Sequence, residues 1–190
     1  MEGEDFLIET ERLLIRKFKP SDAADLFAYL SLPEVYRFEP GKPITLQEAS
    51  DLATERAEAD NFLAVVLKAS GKMIGHLYFE QRQPPEFRTW EIGYIFNPAY
   101  QRHGYASEAA SALVDYAFAN LRPHRIMARC DQKNPASWKL LEKIGFTREG
   151  SFKQVAYFRM DEVGNPIWID AFEYSRLEGK DESISLQVEG

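Results

Sequence analysis

The segment from Thr89 to Leu121, "TWEIGYIFNPAYQRHGYASEAASALVDYAFANL", limits the fold more than any other part of the chain. It opens as a strand of alternating side chains, Thr89 to Phe96, crosses a polar loop, and becomes an alanine-rich helix reaching about Leu121. Gly104 stands where the helix begins. A helix N-terminus offers N–H groups without intrahelical partners and the positive end of the dipole. Together these suit a phosphate. A side chain at Gly104 would hold an anion off the backbone, and Ala106 is small for the same reason. Arg102 and His103 can add charge or hydrogen bonds. The segment predicts a pyrophosphate held by main-chain amides. An ordinary helix start with a turn glycine is the other reading of the same residues.

The elements around it follow from periodicity and caps. "TERLLIRKF" reads as a strand, and "KPSDAADLFAYLS" as a helix with Ala24, Leu26, Phe27 and Leu30 at helical spacing. "TLQEASDLATERAEAD" reads as a second helix, with Thr45 and Glu48 spaced for a capping box. "NFLAVVLKAS" and "KMIGHLYFEQ" read as a hairpin turning at Ser70 to Lys72. "HRIMARCD" is a strand, "NPASWKLLEKIGF" a helix ending at Gly145, and "FKQVAYFRMDEVGNPIWIDAFEYSRL" two strands joined at Gly164 and Asn165. The order β-α-α-β-β-β-α-β-α-β-β predicts one α/β (α+β) domain on a mixed, mostly antiparallel sheet. We expect that domain at 9–177, with tails at 1–8 and 178–190.

Bulk chemistry narrows the function. The chain has 190 residues, a formal net charge of -7 and a pI near 5.1. An acidic balance argues against nonspecific nucleic-acid binding, which needs clustered Lys and Arg. It is compatible with a cationic substrate. Cys130 is the single cysteine, so no internal disulfide or cysteine-based zinc site is expected, and its strand setting suggests a buried, inert thiol. His76, His103 and His124 lack metal-ligand spacing. No apolar run approaches the roughly 20 residues of a membrane span, and the acidic start has no signal-peptide core. These readings predict a cytoplasmic protein without metal, membrane or nucleic-acid partner. The G-x-G-x-x-G and G-x-x-x-x-G-K-[ST] patterns are absent, which disfavours dinucleotide and Walker-type sites.

"QRHGYA" matches the Q/R-x-x-G-x-G/A pyrophosphate motif of the GNAT superfamily of N-acetyltransferases, and the chain resembles that family on both sides of it. "WEIGYIFNPAYQRHGYASEA" is similar to the strand-loop-helix that holds acetyl-CoA there. "NPASWKLLEKIGFTREG" is similar to the later helix with its N-x-x-S and GF-x-x-E-G signature. "TERLLIRKFKPSDAADLF" resembles the opening of the RimJ/RimL-like branch, which acetylates ribosomal-protein N-termini. The resemblance spans about Glu9 to Leu177. It implies a GNAT fold whose sheet splays between "EIGYIF" and "HRIMARCD". Pantetheine would lie in the gap along the backbone of Ile95, Phe96 and Asn97, and the pyrophosphate at Gln101, Arg102, His103, Gly104, Tyr105, Ala106 and Ser107. Acetyl-CoA is the implied cosubstrate, without a metal. The implied partner is an amine acceptor, either a protein N-terminus or a small amine such as a polyamine or aminoglycoside. The oligomeric expectation is a monomer or homodimer.

Amide formation from a thioester needs a neutral amine, a polarised carbonyl and a protonated leaving thiolate. The resemblance implies three residues for these roles. Glu91 matches the glutamate that serves histone-type relatives as base, often through water; it also reads as a surface or cross-strand glutamate. Arg129 occupies the position of the base used in some other branches. Asn134 matches the residue that reaches the pantetheine arm, and is a good helix cap in its own right. Ser137 matches a hydroxyl placed to protonate the thiolate, or is a plain first-turn serine. Some branches use a tyrosine four to seven residues further on, and "LLEKIGF" offers none. A CoA-binding domain without catalysis and a nucleotide-binding module are the readings from other classes.

Overall fold

A computed structural model describes residues 6–179. In chain order the elements are β1 (Leu7–Glu9), β2 (Leu13–Lys17), α1 (Ala23–Leu30), α2 (Leu46–Glu58), β3 (Phe62–Leu67), β4 (Met73–Gln81), β5 (Thr89–Phe96), α3 (Tyr105–Asn120), β6 (Arg125–Asp131), α4 (Pro135–Lys143), β7 (Thr147–Met160) and β8 (Pro166–Leu177). The expected order is present, with one strand added in front. Leu7 and Ile8, read from the sequence as tail, pair with Arg16 and Ile15. Three residues are too short a run for alternation to register as a strand. Residues 180–190 of the expected C-terminal tail lie outside the described residues.

The strands form one sheet in the order β1-β2-β3-β4-β5-β6-β8-β7. Every neighbouring pair is antiparallel except β5 and β6. That parallel pair is short: Thr89, Trp90 and Glu91 face Arg125, Ile126 and Met127. Beyond Glu91 the two strands part. The edge of β5 from Ile92 to Phe96 then has β4 on one side and no strand on the other. The expected splay is thus a feature of the described sheet.

Alternation along the strands sends apolar residues to two cores. Leu13, Ile15, Leu63, Val65 and Ile92 pack with α3 and α4 on one face. Phe18, Ala64, Val66 and Met73 pack with α1 and Ala53 of α2 on the other. Ala109, Ala110 and Ala117 let α3 lie close to the sheet, and Leu113 between them is fully buried. The caps form as the residue types require. The Thr45 hydroxyl accepts from the Glu48 N–H while the Glu48 carboxylate accepts from the Thr45 N–H at 2.6 Å. Gly145 closes α4 at φ 86°. His76 is a core residue of β4, 2.6 Å from the Tyr29 hydroxyl. Burial holds its imidazole well below the usual histidine range.

Candidate active site

The start of α3 is strapped from outside the helix. Gly104 is its N-cap at φ 82° and ψ 0°, a left-handed geometry that costs other residues about 1–2 kcal/mol. A Cβ there would meet only the Arg12 guanidinium, at 3.5 Å, so backbone conformation rather than crowding selects glycine in the protein itself. Arg102 beside it also has positive φ, at 65°. Arg12 leads into β2 and donates to the His103 carbonyl at 3.0 Å and to Glu108 in the first turn of α3 at 2.7 Å. The Thr10 hydroxyl donates to the same carboxylate at 2.5 Å. Burial opposes the charge on Glu108, but these hydrogen bonds outweigh it and hold the carboxyl below its usual range. A loop with unusual backbone is therefore fixed by residues about 90 positions away.

The splay opens into a cleft of about 700 Å³. One wall is Tyr94, Ile95 and Phe96 of β5 and the loop residues Gln101, Arg102, Gly104, Tyr105, Ala106 and Ser107. The opposite wall is Asn134, Ser137, Lys139, Leu140 and Lys143 of α4 and its cap. The segment between α1 and α2 closes one side with Glu34, Val35, Arg37, Phe38 and Glu39. Cations (Arg37, Arg102, Lys139 and Lys143) therefore line a groove that ends at a helix N-terminus and has a free strand edge along it. Such a groove suits an extended, phosphate-bearing ligand that hydrogen-bonds like an added strand. Among the described residues, no group of His, Cys, Asp and Glu suits a metal ion. No helix among them is long and apolar enough to cross a membrane.

Most of the residues singled out in the sequence meet in this cleft, and three do not line it. Asn97 caps the short turn after β5, its carboxamide accepting from the Ala99 N–H at 3.0 Å. His103 turns toward the Gln101 carbonyl, with Nδ1 2.8 Å away, and stacks on Tyr105. Glu91 stands at the point where β5 and β6 part, facing Glu80 across β4, with its carboxylate 3.1 Å from Arg82.

Asn134 caps α4, its side chain accepting from the Ser137 N–H at 3.3 Å. The Ser137 hydroxyl has a partner that periodicity alone did not single out. Tyr94 reaches over from β5, its hydroxyl 3.0 Å from Ser137 Oγ and 3.2 Å from the Ser137 carbonyl oxygen. No tyrosine follows Ser137 on α4, yet one arrives from another element. Burial pushes the Tyr94 hydroxyl well above the usual tyrosine range, so it stays protonated. Burial also pushes the Cys130 thiol up to about 11, with the Ser137 hydroxyl pulling the other way. The thiol therefore stays protonated near neutral pH. Tyr94 had a usable signal: it shares a face with Ile92 and Phe96, two residues before the strand ends at Phe96.

Comparison with known proteins converges on one family. The profile described as Acetyltransferase (GNAT) domain matches residues 12–147. The chain is 37% identical over 173 residues to the uncharacterized N-acetyltransferase YnaD of Bacillus subtilis (strain 168), covering 90% of this chain and 96% of that one. A GNAT-family acetyltransferase structure from Bacillus anthracis superposes with a TM-score of 0.82 at 36% identity, covering 91% of this chain and 99% of that one. The ribosomal-protein-S5-alanine acetyltransferase of Vibrio fischeri follows the same fold with a TM-score of 0.74 at 26% identity, covering 94% and 100%. The chain belongs to the GNAT family and is an acetyltransferase.

Proposed function

We propose that this enzyme transfers the acetyl group of acetyl-CoA directly to a primary amine in a ternary complex, with the cosubstrate in the 700 Å³ cleft. The observation that carries this reading is the continuity of the cleft. It joins the strapped N-terminus of α3, the unpaired edge of β5 and the Ser137–Tyr94 pair in one groove. The amides after Gly104 and the Arg102 guanidinium would hold the pyrophosphate. The edge of β5 at Ile95 to Asn97 would hydrogen-bond the pantetheine arm, with Asn134 across from it.

The chemistry divides among this chain's side chains. The amine must lose a proton before it attacks; Glu91, the carboxylate that the family resemblance implies for this step, stands where β5 and β6 part and is paired with Arg82. The nitrogen lone pair then forms the C–N bond and the C–S bond breaks. Ser137, hydrogen-bonded to a tyrosine kept protonated by burial, delivers a proton to the departing thiolate. The second amine proton, shed as the amide forms, restores the hydroxyl pair.

The family comparison supports the transfer and leaves the acceptor to be assigned. The relative from V. fischeri is named for a ribosomal protein, which supports a protein N-terminal amine and the RimJ/RimL-like branch. A reducing cytoplasm suits a buried free thiol and an acetyl-CoA substrate. Calorimetry with acetyl-CoA, ATP and NAD, followed by thiol release in the presence of amines, tests the reading. Acetyl-CoA alone should bind, and an amine should accelerate thiol release. Preference for either nucleotide would overturn it.

A further inference from the structure

Glu39 belongs to the turn-rich segment between α1 and α2. Among the described residues it has no hydrogen-bond or ion-pair partner, and burial raises its affinity for a proton. It lies where two cavities meet. Beside the larger cleft is a second space of about 230 Å³, lined by Val155, Ala156 and Phe158 of β7 and by Ile169 and Ala171 of the paired strand β8. Phe38, Glu39, Asn134 and Ser137 line both spaces. This hairpin wall carries an irregularity. The β7–β8 register shifts between Phe152 and Ala156, and Gln154 takes φ 51°. Asp170 pins that bulge by accepting from Lys153 Nζ at 2.8 Å and the Gln154 N–H at 3.0 Å.

We propose that the smaller cavity lodges the acceptor, a compact primary amine with an apolar body, and that Glu39 binds its ammonium and takes its proton. The proposal rests on reading the larger cleft as the acetyl-CoA site. A nitrogen entering from the smaller space meets the thioester at the shared wall, where Ser137 stands ready for the thiolate. The apolar side chains of the hairpin would displace water from the acceptor's body, which strengthens an ammonium–carboxylate pair. Drug-sized ligands occupy roughly 300–1,000 Å³, so a 230 Å³ space selects a small body or the first residue of a chain. An unpaired carboxylate in that setting selects cations, whereas Glu91 is already paired with Arg82.

Burial pushes the Glu39 carboxyl up to about 7, near the value at which a base both holds and releases a proton at neutral pH. The other charged and titratable groups facing the two spaces come from every surrounding element. Glu34 and Arg37 share its segment, Tyr94 comes from β5, and Lys139 and Lys143 come from α4. Arg129, Cys130 and Asp131 come from β6. Tyr100, Arg102 and Tyr105 line the phosphate end. Tyr94 and Cys130 are pushed upward by burial and stay protonated near neutrality.

The step balances. The ammonium gives one proton to the Glu39 carboxylate, and the neutral amine forms the C–N bond. The C–S bond breaks, and the second amine proton is matched by the one delivered to sulfur through Ser137. Glu39 then releases its proton to solvent.

The test uses the full chain, with leucinamide and phenethylamine as probes. Glu39→Gln should bind acetyl-CoA like the parent in calorimetry. Its kcat/KM for the probes at pH 7 should fall about 100-fold or more, with loss of the ionisation near neutrality from the pH profile. Glu91→Gln, measured alongside, tests the carboxylate on β5 for the same role. In parallel, the carboxyl carbon of Glu39 followed by 13C NMR in the parent should titrate near neutrality and move to lower pH when either probe is added. Parental kcat/KM in Glu39→Gln, a loss that falls on Glu91→Gln instead, or a Glu39 titration indifferent to both probes would overturn the proposal. A parent that fails to bind acetyl-CoA would instead overturn the underlying reading of the larger cleft.

Discussion

Two carboxylates mark the difference between the two ends of this enzyme. Glu108, under the phosphate-side loop, accepts hydrogen bonds from Thr10 and Arg12 and is held below the usual carboxylate range. Glu39, at the junction of the cavities, has no hydrogen-bond or ion-pair partner among the described residues and is pushed up to about 7. Their effects on stability have opposite signs. Glu108 binds its proton less readily folded than unfolded, so its contribution is present above the unfolded value and is lost as pH falls through the folded one. Glu39 binds its proton more readily folded, so it costs stability as pH rises from about 4.5 to about 7. One end of the molecule is built to keep a shape, and the other keeps a charge in reserve for a ligand.

The sharpest way to break this contrast is at the shape-keeping end. Gly104→Glu places a Cβ at φ 82° and a negative charge against the expected pyrophosphate. Acetyl-CoA affinity should fall about 100-fold or more in calorimetry, since each tenfold corresponds to about 1.4 kcal/mol. Parental affinity would show that the helix start is not the phosphate site. The next effect belongs to the shared wall. Ser137→Ala should lower kcat about 10- to 100-fold with little change in acetyl-CoA affinity, because the proton is needed only as the thiolate leaves. Tyr94→Phe should lower kcat less, and an unchanged kcat in both would reduce the pair to packing. The smallest effect lies on the acceptor side. Ala156→Trp fills part of the smaller cavity and should raise the amine KM about tenfold, leaving acetyl-CoA binding alone. A rise in acetyl-CoA Kd instead would merge the two spaces into one site.

The same contrast explains what the sequence made legible. The strand, loop and helix around Gly104 are contiguous, so glycine, small residues and apolar period could be read together. Thr45 with Glu48, and Asn134 with Ser137, are local for the same reason. Chain order and period were enough for a mixed sheet, and the resemblance to the family supplied the splay. The strap on α3 was not visible, because Arg12 and Glu108 are brought together across 96 positions by the folded sheet. Tyr94 is not legible as the partner of Ser137 because it lies 43 positions away and its hydroxyl crosses the gap from β5. Glu39 sits among prolines and glycine in a segment without period, where sequence identifies a loop but not its direction. Its meeting with Ala156 and Ile169 depends on a bulge that no repeat announces.

The brief contact between β5 and β6 has a mechanical meaning. Five strands, β1 to β5, follow one another antiparallel and form one plate; β6, β8 and β7 form another. Three residue pairs sew the plates together, and beyond Glu91 the ladder stops. Resistance to prying them apart therefore rests on the apolar packing of α3 and α4 over the seam rather than on backbone bonds. A pantetheine-like arm laid along the free edge of β5 would act as a wedge and a stitch at once, holding the plates at a fixed width while supplying the hydrogen bonds the strands leave unmade. Cleft width, and with it the distance from Ser137 on one plate's helix to Tyr94 on the other plate's strand, becomes a quantity the ligand itself sets.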